Sequence, residues 1–135
     1  MRKIVSDSGV IKVEIRDLVD DDAPRAAQVV AACRDAQADD MRQDQEFGFW
    51  YARARLCIEC GAAFGLFVNN GAVAGVALAL PDGVSGRAIM YAAHSLWDAA
   101  ATVPALQVAL KEWAKSRGLE LGRVVRTVTT DWRPV

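Results

Sequence analysis

Two apolar runs, residues 63–68 and 73–80, stand on either side of Asn69-Asn70-Gly71. No other feature narrows the folding of this chain as sharply. Asn and Gly tolerate the positive φ of a tight reversal, so the spacing predicts an antiparallel hairpin. Gly65 and Gly75 interrupt the runs; a glycine within a strand marks a bulge or a close approach of other backbone. Pro81-Asp82-Gly83 predicts a second turn, and residues 87–94 follow as the next antiparallel strand.

The flanking segments supply further strands and the helices. Residues 1–9 are expected to form a flexible arm ending in Ser8-Gly9, with a single domain over 10–135. Val10 to Ile15 alternates apolar and charged residues, the period of a half-buried strand. Asp20-Asp21-Asp22-Ala23-Pro24 predicts a helix start, because aspartate favours a helix N-terminus and proline suits the first turn. That helix carries Ala26, Ala27, Val29, Val30 and Cys33 on one side to about residue 38, and residues 39–46 read as a polar connection. A second helix runs from Phe49 to Cys60, stopped by Gly61. Thr102 is expected to open a third, with Leu106, Ala109, Leu110, Trp113 and Ala114 buried and Gly118 as its end. Residues 122–130 read as the last strand. The fold class is therefore α+β, a mixed, mostly antiparallel sheet flanked by helices.

A length of 135 residues suits one domain. Charged residues at 24% and a net charge of -1 argue against disorder and against a mainly electrostatic nucleic-acid binder. No apolar run approaches the roughly 20 residues of a membrane span, and residues 1–9 lack the apolar core of a secretory signal. Three cysteines make a poor disulfide framework. These features point to the cytoplasm, and the Arg- and Ala-rich usage suggests a bacterium or one of its phages.

Ile15-Arg16-Asp17-Leu18-Val19-Asp20-Asp21-Asp22-Ala23-Pro24 and Phe67-Val68-Asn69-Asn70-Gly71-Ala72-Val73-Ala74-Gly75-Val76-Ala77 resemble two stretches of the GNAT (GCN5-related N-acetyltransferase) fold. The first matches that family's entry from strand to helix, the second its hairpin. The resemblance implies an acyl-CoA N-acyltransferase-like architecture and, in active members, a [Q/R]-x-x-G-x-[G/A] loop whose backbone amides grip the CoA pyrophosphate at a helix N-terminus. The corresponding stretch, residues 95–104, contains no glycine; Asp98 opposes phosphate, and Pro104 is expected to remove an amide donor. The family's later helix, final two strands and thiolate-protonating tyrosine are expected to be missing, since the sequence stops at Trp132-Arg133-Pro134-Val135. A shortened form without that loop is similar to the small GNAT-like virion proteins of podoviruses.

Two functions follow from the resemblance. One is a non-catalytic structural or interaction protein, a phage virion component, with no cofactor. The other is an acyl-CoA-dependent N-acetyltransferase that takes acetyl-CoA through an atypical loop. In the second, His94 would be the base for an amine, with Ser95 and Tyr91 beside it; as a lone histidine at a strand end, His94 could equally be structural. Cys57 and Cys60, with Cys33 and His94, have donors for a zinc site, but on a periodic helix they read as small apolar residues. Phe49, Trp50, Trp97 and Trp132, with Arg123 and Arg126, are candidates for a protein-partner or self-association surface, the basic end meeting the acidic first half. Membrane and nucleic-acid partners are not expected, and the small-molecule acceptor is left open.

Overall fold

A computed structural model describes residues 2–37, 47–69, 71–83, 86–126 and 130–135, without the side chains of 35–37, 125, 126 and 130. The expected connection over residues 39–46 lies outside the described residues. The elements run β1 (Arg2–Asp7), β2 (Lys12–Asp17), a 3-10 turn (Asp20–Asp22), α1 (Ala23–Gln37), α2 (Phe47–Glu59), β3 (Ala63–Val68), β4 (Val73–Pro81), β5 (Arg87–Ser95), α3 (Ala99–Ser116), β6 (Glu120–Arg126) and β7 (Thr130–Pro134). The seven strands form one sheet in sequence order. Every pairing is antiparallel except β5 with β6, which α3 links as a parallel crossover.

Each face of the sheet buries its own core. On one face α1 and α2 cover Leu78, Val76, Phe67 and Ala92, with Val29, Val30, Trp50 and Cys57 from the helices. On the other, α3 lays Leu106, Ala109, Leu110 and Trp113 on Ile15, Leu66, Ala77, Ala79, Ala88 and Leu121. Ile15, Leu66, Leu78, Leu106 and Leu110 are fully buried, each contributing about 1.5–3 kcal/mol. The hairpin forms where the asparagine–glycine signal placed it. Asn69 has φ 55°, and the Gly71 amide donates to the Val68 carbonyl at 2.9 Å. Gly65 is crowded by side chains rather than by the other backbone expected: an added Cβ would lie 2.5 Å from Leu18 Cδ2.

Three expectations change. The predicted arm is an edge strand: Arg2–Asp7 pairs with β2 through a turn at Ser8-Gly9, where Gly9 has φ 82°. Its outward-facing residues carry no burial period, so nothing in the sequence announced it. What holds it is Glu14, fully buried on β2, whose Oε2 accepts a hydrogen bond from Arg2 Nε at 2.7 Å. Arg16 Nε lies 3.3 Å from Oε1. The Arg2 hydrogen bond holds the Glu14 carboxyl below the ordinary carboxylate range, outweighing the opposing effect of burial. At the other end, the single last strand expected over 122–130 is instead β6 followed by a further strand, β7, paired to β6 from Gly122↔Pro134 to Arg126↔Thr130. Finally, α3 starts at Ala99 rather than at Thr102, and its N-cap is Asp98.

Candidate active site

β5 has two unlike edges. Toward β4 it is paired along its length, from Pro81↔Ala88 to Gly75↔Ser95, with one irregularity: Leu78 faces Ala92 and Ala79 faces Met90, so Tyr91 is the extra residue of a bulge. Toward β6 only Arg87, Ala88 and Ile89 are paired, with Glu120, Leu121 and Gly122. Beyond them, among the described residues, β6 is paired only with β7, along its other edge. The β5 backbone from Met90 to Ser95 then has no strand partner on that side among the described residues. A sheet that opens in this way exposes a row of amide and carbonyl groups inside the fold rather than at its rim.

A cleft of about 460 Å³ lies at the C-terminal end of that opened edge, bounded by Cys33 of α1, Ala93, His94 and Ser95 of β5, and Ala99 and Val103 of α3. His94 pairs across the sheet with Val76, a core residue of the α1–α2 face, so its imidazole lies on that face. Burial, and then the nearby Arg34 charge, pull its pKa below 6.5. It is neutral at pH 7 and free to accept a proton. Gly75 lets the chain pass close by: a Cβ there would sit 3.1 Å from Ser95 Oγ and 3.2 Å from the His94 carbonyl oxygen.

The loop from Ser95 into α3 is fixed by hydroxyl groups. Ser95 Oγ donates to the Trp97 carbonyl at 2.8 Å and accepts from the Trp97 amide at 3.1 Å. The buried Thr102 hydroxyl lies 2.8 Å from Ser95 Oγ, 2.7 Å from the Trp97 carbonyl and 3.0 Å from the Asp98 carbonyl. Ser95 is therefore a structural tie in this loop, and Thr102, expected to open the helix, is the latch that closes it. Asp98 takes a left-handed conformation, φ 41° and ψ 58°, and its carboxylate makes no cap hydrogen bond. Its carbonyl accepts the amides of Ala101 and Thr102 at 3.0 and 2.9 Å. The earlier amides, of Ala99 and Ala100, have no partner within the helix. Both residues are small and exposed. Pro104 sits inside α3, beyond these amides, so it does not remove an N–H from the helix end as the sequence suggested.

The remaining candidates separate. Tyr91 is half-buried on the α1–α2 face under Arg53, whose guanidinium carbon is 4.1 Å from the ring centre. Trp50, expected at a partner surface, is 2% exposed: the helical period turns it into the core, with Arg34 over its ring. Phe49 and Trp97 are exposed, as is Arg123, and the Arg126 side chain lies outside the described residues. Trp132 is half-buried, its indole N–H donating to the Ala88 carbonyl at 3.3 Å and its ring filling the space above Gly122. Cys57 is buried, which pushes its thiol up to about 12. Among the described residues no three His, Cys, Asp or Glu side chains cluster as a metal site. No helix of the described residues is long and apolar enough to cross a membrane.

Solved structures share this architecture. The PaiA N-acetyltransferase of Thermoplasma acidophilum, in complex with coenzyme A, superposes with a TM-score of 0.63 at 14% identity, over 84% of this chain and 79% of that one. A GCN5-related N-acetyltransferase from Kribbella flavida gives 0.60 at 14% identity, over 91% of this chain but 32% of its own. Another from Ralstonia eutropha gives 0.50 at 17% identity, over 79% and 78%. No protein-family model matches the sequence, and no curated protein is similar enough to it to count as a match. At these identities the likeness is one of fold: the chain has the GNAT-like, acyl-CoA N-acyltransferase-like architecture.

Proposed function

We propose that the domain binds an acyl-coenzyme A along the opened edge of β5 and transfers the acyl group to an amine. The observation that carries this reading is the parting of β5 and β6 after Ile89↔Gly122, with a cleft and a helix N-terminus at its end. Met90 to Ser95 offer backbone donors and acceptors to an extended, amide-bearing ligand, much as a missing strand would use them. The Ala99 and Ala100 amides, at the positive end of the α3 dipole, suit an anionic group. A coenzyme A molecule combines both features, and these residues fit it. The Asp98 carboxylate is the one group that opposes it. When bound, the thioester would supply an activated acyl carbon. His94, neutral and half-buried at the same edge, accepts the proton that an attacking amine must lose.

Asp98 and the exposed Phe49 and Trp97 give the alternative, a non-catalytic interaction domain on the same scaffold, its footing. A virion setting for it draws nothing from the structural neighbours, one of which holds coenzyme A. A thermal-shift titration with acetyl-CoA, with dephospho-CoA and ATP as controls, separates the two. Saturation at a hundred times Kd stabilises a native state by about 2.7 kcal/mol, a shift of about 8–16 °C for a domain of this size. No shift at millimolar ligand would end the acyltransferase reading.

A further inference from the structure

We infer that the acyl acceptor is an amine that itself bears a carboxylate, held by Arg53 and Arg87 on the open sheet face beside the parting of β5 and β6; this rests on the acyltransferase reading. The two arginines share that face. Ala88 and Leu121 point into the α3-side core, so their neighbours Arg87, Ile89 and Gly122 point to the opposite side, where α2 brings Arg53 over Tyr91. β6 and β7 extend this face past the helices, and Val124 there is 40% exposed.

Among the described residues, stacking is the only interaction of either guanidinium. Arg53 lies 4.1 Å from the Tyr91 ring centre and 5.1 Å from that of Phe49, and Arg87 lies 4.5 Å from that of Trp132. Stacking uses the faces of the planar cation and leaves its in-plane N–H fork available for a carboxylate. Among the described residues neither arginine has a carboxylate within ion-pair distance. Glu120, the register partner of Arg87, makes no ion pair with it. Two half-buried cations are thus oriented and, among the described residues, left without an acid, on either side of Ile89 and next to the Trp132 ring that covers Gly122. His94 stands three residues beyond Tyr91 on the same face, roughly 10 Å along the strand. That separation suits an amine at His94 with its carboxylate at Arg53. A polyamine or another cationic acceptor would be repelled.

The test is a calorimetric titration of the full chain with the dipeptide Glu-Glu, its neutral counterpart Gln-Gln and spermidine, alongside the acetyl-CoA thermal shift. Glu-Glu is expected to bind saturably and Gln-Gln at least tenfold more weakly. Arg53→Met and Arg87→Met should each weaken Glu-Glu at least tenfold while leaving the acetyl-CoA shift in place, and Arg53→Lys should restore part of the loss. Arg87, on the open face, provides a variant whose folding does not depend on the α2 packing. Equal or tighter binding of Gln-Gln or spermidine, or no binding of Glu-Glu, would overturn the inference and leave the acyltransferase reading untouched. Arginine-dependent Glu-Glu binding without an acetyl-CoA shift would overturn the acyltransferase reading and keep the carboxylate site.

Discussion

The two edges of β5 contrast a fully paired backbone with one left largely open. Its β4 edge is paired from Ala88 to Ser95 and lies between helices on both faces; its β6 edge is paired over three residues and then opens. On the first side the backbone is satisfied and the side chains are close-packed. On the second the backbone is left available, and one face of the neighbouring strands is covered only by side chains such as Trp132. The proposed binding edge thus lies where packing is thinnest, as expected if ligand sites come from the less stable parts of a fold.

Substitutions should affect the two sides unequally. The largest effect belongs to the packed side. Leu78→Ala removes a fully buried side chain from β4 and should cost about 2–5 kcal/mol in a urea melt. A loss under about 1 kcal/mol would mean that this side is not the rigid one. On the open side, Trp132→Ala removes a half-buried ring and its hydrogen bond to the Ala88 carbonyl. It should cost about 1–2 kcal/mol, less than the roughly 3–5 kcal/mol of a fully buried tryptophan, with the loss confined in hydrogen exchange to β6 and β7. Asp98→Gly reverses the sign. It relieves a non-glycine φ of 41°, worth about 0.5–1 kcal/mol, and removes a carboxylate from the helix N-terminus that would bind an anion. Both stability and acetyl-CoA affinity should rise, and an unchanged Kd by calorimetry would remove α3 from the binding site.

The smallest effects are in pH dependence, and they differ between the regions. Glu14 has a lowered folded pKa, so its contribution is complete above about 4.5 and is lost as pH falls through the folded value. Glu14→Gln should flatten that acid limb and expose β1 amides to exchange first. His94 is lowered too, so stability falls as pH drops below 6.5 and the imidazole is forced to charge. Acyl transfer should fall along an acid limb as pH drops below 6.5, with His94→Gln abolishing that pH dependence along with most of the rate. A retained limb would assign the base elsewhere.

Much of the frame was legible from local pattern. The Asn69–Gly71 reversal fixed β3 against β4, the helical stripe over Leu106, Ala109, Leu110 and Trp113 was the buried face of α3, and the two motif stretches pointed to the observed architecture. His94 was placed correctly at a strand end because the turn at residues 81–83 sets the register of β5. Trp50 was misread because an aromatic beside exposed Phe49 looks alike in sequence whether it faces in or out. The edge strands were missed because β1 and β7 are exposed, and exposure leaves no period to read.

What the sequence determined alone is whatever neighbouring residues decide by their own geometry: turns, helical faces, alternating strands. The tertiary structure decided the rest. Arg2 reaches Glu14 only once β1 has folded back, and Trp132 covers Gly122 only because that residue lacks a side chain. Asp98 takes a left-handed turn with Thr102 latched over the loop that carries it. The parting of β5 from β6 is likewise invisible in either strand, because how far two strands separated by α3 stay paired is decided by tertiary packing. These are contacts between residues distant in sequence, and no local propensity encodes them.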